Sequence, residues 1–149
     1  MSVREKDLPQ RVEAEIALLG MVVSAEYGDV LADAEFLHPA DFYVEWRGLV
    51  WQAAQALRAD GVPVNYIALV DKLTEMDALG EGKPVESISD VTECANHIPP
   101  NASARRLALS VQQAALRRQD IHRAHLLASA AYSGSEETWQ HEREQVAAH

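Results

Sequence analysis

Beyond the stretch "IPPNAS" the chain reads as one helix from Ala102 towards Tyr132, and the length of that helix limits what the fold can be. Leu107, Val111 and Ala115 form one apolar side of it, while Leu109 and Leu116 lie off that side. "SGSEE" then turns the chain into a last segment, 136–149. A returning helix of about fourteen residues, rising ~1.5 Å per residue, cannot cover one of roughly thirty. The uncovered remainder is a candidate self-association surface, with Leu109 and Leu116 as its residues.

The preceding segments are also helical. From Gln10 to Val23, the residues Val12, Ile16, Leu19 and Val23 recur at spacings of four, three and four and make one apolar face. Pro9 suits a first turn. Glu13 and Glu15 sit at the dipole's positive end. Gly20, costly inside a helix, implies a close crossing there. A short helix is expected around Gly28–Glu35, then the turn "HPADFY", where Asp41 is placed to cap the next helix. From Glu45 to Ala59, Trp46, Leu49, Val50, Ala53 and Leu57 line one face, with Trp51 to its side. Asp60-Gly61 ends that helix, and Asn65 caps Tyr66–Met76, whose apolar face is Leu69, Val70 and Leu73. Gly80–Ser87 reads as a flexible loop and Asp90–His97 as another short helix. No stretch reads as a strand. The expected fold is all-α: a globular bundle of short helices over 1–101, followed by a long helical hairpin over 102–149.

At 149 residues, 48% of them hydrophobic, the chain is long enough for one real core. Its start, "MSVREKDLPQ", has no apolar signal region, and no apolar run reaches the roughly 18 to 20 residues of a bilayer span. The single Cys94 excludes an internal disulfide, so the cytoplasm is the expected compartment. A net charge of −10 argues against tight DNA binding by this chain alone. The charge is uneven, however: Arg105, Arg106, Arg117, Arg118 and Arg123 face only Asp120 within 103–125. Such a run is either a solvated face with apolar stems or a basic surface for an acidic partner or phosphate backbone.

Little here points to catalysis. Cys94-x2-His97 and His122-x2-His125 have zinc-ligand spacing and could build a small zinc-dependent hydrolase, but packing would have to bring the two pairs together. Glu35-x2-His38 is half of a di-iron motif that needs two copies. No phosphate-binding loop, nucleophile elbow or His-Glu-x-x-His occurs. Neither catalytic residues nor a cofactor or metal site are expected.

Three stretches in order resemble the N-terminal domain of the DnaB-type replicative DNA helicases: "LPQRVEAEIALLGMVV", "HPADFYVEWRGLVWQAAQALRADGVPVN" and "ALRRQDI". The likeness runs from about Leu8 to Tyr132. It implies an all-helical domain whose hairpins pair into dimers, with dimers assembling into a hexameric collar that docks the C-terminal domain of primase or a helicase loader. Glu13 matches a glutamate linked to primase contact, and Ile121 and Leu127 fall near apolar hairpin positions that carry such contacts. Asp90 stands where the family has an aromatic residue, and Arg106-Leu107-Ala108 replaces Tyr-Tyr-Ala. These departures bear on the partner rather than the fold. The family's RecA-like motor is absent, so the chain alone is expected neither to hydrolyse ATP nor to unwind DNA. The ending "EREQVAAH" favours a domain cut from a longer helicase over a stand-alone phage or mobile-element relative that modulates a host helicase or primase. The helicase-binding domain of primase shares the helical shape, but "EAEIALLG" and "DFY" point away from it.

Overall fold

The computed structural model describes residues 8–148. The first seven residues of the polar N-terminus and His149 of the last segment lie outside them. Among the described residues seven α-helices succeed one another: α1 (Val12–Val23), α2 (Val30–Asp33), α3 (Glu45–Ala59), α4 (Tyr66–Glu75), α5 (Ile88–Glu93), α6 (Ala104–Ser133) and α7 (Glu136–Ala147). Short 3-10 turns occur at Ala25–Tyr27, Pro39–Asp41 and Cys94–His97. Among the described residues the only β feature is an isolated bridge between Leu79 and Val85. The all-α reading therefore holds. The chain divides into two units, 10–114 and 115–148 with Leu8 and Pro9, and α6 runs through both.

The first unit is built around α1. Its buried residues include Ala14, Leu18, Leu19, Met21 and Val23, whereas Val12 and Ile16 remain half-buried. A helix buried nearly all round is a central core helix, so the single face expected from the sequence is too narrow. Gly20 explains how a neighbour comes so close. A Cβ there would overlap the Cys94 carbonyl oxygen and lie 2.8 Å from its carbon, so the 3-10 turn Cys94–His97 sits directly on the α1 backbone. The close crossing is real, and the crossing element is a turn.

Local chemistry sets the helix ends. Gly61, at φ 72°, closes α3: its N–H donates to Arg58 O at 3.0 Å and Val62 N–H to Leu57 O at 2.9 Å. The Asn65 side chain caps α4 by accepting from Ala68 N–H at 2.9 Å. Asp77, also left-handed at φ 57°, ends the α4 turn in the same way. α5 starts earlier than the sequence suggested, because Ser87 caps it from Ser89 N–H.

Four further expectations change. Trp51 is fully buried, not lateral: its ring packs 5.5 Å from Phe42 and its Nε1 donates to Leu37 O at 3.2 Å. Trp46 and Leu49, given to the core face, are only half-buried. The loop at 80–87 is tied rather than slack, because Val85 is buried and exchanges hydrogen bonds with Ala78 and Gly80 at 2.9 Å. Asp41 does not cap α3: its carboxylate accepts from His38 N–H at 2.9 Å, closing its own 3-10 turn.

Within the first unit α6 contributes Ala104, Ala108 and Val111 to the core, at spacings of four and three. In the second unit Arg118 of α6 donates to Pro9 O at 2.8 Å. Ser135 caps α7 by accepting from Thr138 N–H at 3.2 Å.

Candidate functional site

The N-terminus of α3 has no cap from its own segment. Instead the segment just ahead of it is held from α1. The Glu15 carboxylate, fully buried, accepts from Tyr43 N–H at 2.8 Å and more weakly from Val44 N–H at 3.5 Å. Arg47, one turn into α3, approaches the same carboxylate at 3.4 Å. A negative charge against the first turn of a helix is favourable, and the nearby cation offsets part of its burial. The two glutamates of "EAE" therefore have different jobs: Glu15 joins α1 to α3, while Glu13 is exposed. Sequence reasoning groups both as dipole acids and misses Glu15's role. The available signal is a carboxylate set between Ala14 and Ile16 in an apolar run.

Glu13 lines a groove of about 700 Å³ in the first unit. Val12, Ile16, Pro99 and Leu107 supply apolar lining, and His97 lines another part. His97 is held by Glu93 across 3.4 Å. Arg11, also on the lining, turns its guanidinium onto Gln10 O at 3.1 Å. The groove thus combines apolar lining with charged groups, the surface chemistry of a binding groove.

The zinc-spaced residues do not gather. Cys94 is buried, its Sγ–H donating to Asp90 O at 3.4 Å. Burial pushes the thiol above its ordinary range, against a smaller lowering effect from Arg47. Among the described residues no three His, Cys, Asp or Glu side chains come together in a metal-holding group. Asp90 is exposed in the first turn of α5.

The other sequence candidates lie on α6. Leu116 is 50% exposed, and Leu109, Ile121 and Leu127 are half-buried. Leu109 and Leu116 are seven residues apart and Leu109 and Leu127 eighteen, about two and five helical turns, so these three share a stripe. Ile121 lies off it. Glu13 belongs to the first unit, Ile121 and Leu127 to the second. Leu126 of α6 and Val146 of α7 are further exposed apolar residues, beyond those the sequence singles out. No helix among the described residues is long and apolar enough to cross a membrane.

Comparison with known proteins gives this arrangement a context. The chain is 32% identical over 129 residues to the replicative DNA helicase DnaC of Bacillus subtilis (strain 168), covering 87% of this chain and 28% of that protein. It is 27% identical over 133 residues to the replicative DNA helicase DnaB of Geobacillus stearothermophilus, covering 89% of this chain and again 28% of the relative. The chain therefore spans under a third of the length of these relatives. Its fold is that of the crystal structure of the N-terminal domain of DnaB helicase from Mycobacterium tuberculosis, with a TM-score of 0.79 at 24% identity over 95% of this chain and 99% of that one. Residues 7–113 match the model of the DnaB-like helicase N terminal domain, and the chain belongs to that family.

Proposed function

We propose that this chain is the assembly and docking module of a replicative DNA helicase, non-catalytic in itself and acting in the cytoplasm. It self-associates through α6 and α7 into dimers and a hexameric collar, and it docks the C-terminal domain of primase or a helicase loader. The observation that carries this reading is α7, twelve residues long with none buried. A helix of that length is marginal in water unless a partner covers one of its faces. The exposed Leu116 and Leu126 on α6 call for cover as well.

Light scattering tests the self-association. The chain is expected as dimers or larger, and changing Leu109 and Leu116 together to Asp should lower the mass while helicity stays intact. An unchanged mass rejects those two residues. Calorimetric titration with the primase C-terminal domain tests the docking. Low-micromolar affinity, about −8 kcal/mol, is expected, and changes at Glu13, Ile121 and Leu127 should weaken it. No binding by a folded, dimeric chain would reject primase and leave the loader.

A further inference from the structure

Resting on the docking reading above, we infer that Gly20, which is outside the lining of the Glu13 groove, is a positioning residue for it: the turn seated on Gly20 sets how wide the groove stands open. Glu13, Ile16, Ala17 and Gly20 follow one another along one face of α1, at offsets of three, four and seven residues. The first three line the groove, and the same face continues into the crossing at Gly20, about 10.5 Å along the helix from Glu13. The turn Cys94–His97 rests its first residue there, while its last, His97, and the following Pro99 line the groove. One short segment thus both touches α1 at Gly20 and walls the groove. Glu13, exposed and without a partner among the described residues, calls for a cation, and Val12, Ile16, Pro99 and Leu107 call for apolar side chains. The occupant is therefore a segment of the docked primase domain that presents apolar side chains beside a lysine or arginine.

A methyl group at residue 20 would meet no side chain able to rotate away. It would overlap the Cys94 carbonyl oxygen and lie 2.8 Å from the Cys94 carbonyl carbon and 3.0 Å from Ala95 Cα, all of them backbone atoms. To restore the 3.4–4 Å of ordinary contact, the turn must retreat from α1. It cannot absorb that strain within itself, because α5 holds it at both ends: the Cys94 Sγ–H donates to Asp90 O at 3.4 Å, and Glu93 holds His97 at 3.4 Å. The turn therefore moves as one piece in a closely packed interior, and His97 and Pro99 move with it. A docking surface matches its partner closely in shape, so a wall displaced by a fraction of an ångström forfeits contacts along its whole length. Gly20 is buried, so it acts on docking without touching the partner.

Calorimetric titration of the chain and its variants with the primase C-terminal domain, beside urea unfolding of each, decides the matter. Gly20→Ala should stay folded and bind ~10-fold more weakly. Leu73→Ala opens a cavity on α4, away from the groove lining, and should lower stability at least as much while leaving the affinity unchanged. That contrast separates positioning of the groove from a general loss of stability. In a chain that already carries Ile16→Ala the groove has lost part of its apolar wall, and adding Gly20→Ala should weaken binding by less than ~2-fold. Should Gly20→Ala fail to fold, Pro99→Gly takes its place, because it loosens the same wall at an exposed residue, and the same ~10-fold loss is expected. Unchanged affinity in whichever of these two variants folds, or a loss no greater than that of Leu73→Ala, overturns the inference although docking stands. If the unaltered, folded chain does not bind the primase domain, the docking reading fails and this inference with it.

Discussion

Replacing Glu15 by Gln tests the link between α1 and α3 with almost no change of volume. The amide oxygen can still accept from Tyr43 N–H, at 2.8 Å in the native chain, so that hydrogen bond survives without its charge assistance. The amide NH2 then faces the Arg47 guanidinium, now 3.4 Å from a carboxylate oxygen, donor against donor. Removing one member of a buried pair typically costs ~3–5 kcal/mol. The Arg47 side chain keeps 12% of its surface in water, which lowers the penalty. The pair is also long and its geometry moderate, so the loss should be about 2–3 kcal/mol. Urea unfolding followed by circular dichroism measures it, with an unchanged m-value showing that the same transition is compared. Glu15→Ala should cost more, about 4 kcal/mol, because it also strands the Tyr43 N–H and leaves a cavity. Changing Arg47 to Met in the Gln background removes the stranded cation and should recover about 1–2 kcal/mol. A Gln variant within ~0.5 kcal/mol of the native chain would refute the reasoning, since surface changes alone stay inside that range.

Three more outcomes are expected of the same structure. Gly20→Ala gains about 1 kcal/mol of helix propensity but drives a methyl into the Cys94 carbonyl, so the net effect should be a loss of roughly 1–2 kcal/mol by urea unfolding; a stabilised variant would remove the close-crossing argument. Cys94, buried and with its thiol pushed up by burial, should react with a thiol reagent only as fast as the first unit opens, and modification at the rate of a free thiol would contradict its burial. The hydrogen bonds from Arg58 hold the Asp29 carboxyl below its ordinary 3.8. A depressed folded pKa gives stability that is full above the unfolded value and is lost as pH falls from 3.8 through the lower folded one. The stability gap between the native chain and Asp29→Asn should therefore shrink on acidification through that window, and a gap that widens there would reverse the sign.

The features legible in the sequence are those that local windows determine. Asn65 as a cap and Gly61 as a stop are decided within five residues, and both hold. Glu15 escapes such reading because its partners, Tyr43 to Arg47, lie 28 to 32 residues away, and no helix rule reaches that far. Trp51 enters the core while Trp46 stays half-buried against it, because an apolar-rich helix offers two plausible faces and packing of Trp51 against Phe42 and Leu37 chooses. The groove beside Glu13 is not legible at all, since α1, Pro99 and Leu107 meet only in three dimensions.

Side-chain size along α6 carries the assembly argument one step further. The side that enters the core carries the buried Ala104, Ala108 and Val111, small residues that let the helix lie close to its neighbours, with Leu107 half-buried at its margin. Roughly 100° or more round the helix, Leu109 and Leu116 carry the larger side chains. A helix adapted to a solitary chain would place leucines inward and alanines outward, because each buried leucine gains about 1.5–3 kcal/mol that an exposed one forgoes. The inverted order is the one expected if the outward leucines are covered by a second copy, as proposed. On this view the first unit supplies one wall of α6 and a second copy the other, which is why Leu116, half in water in the single chain, is the residue whose change to Asp should cost the assembly most and the fold least.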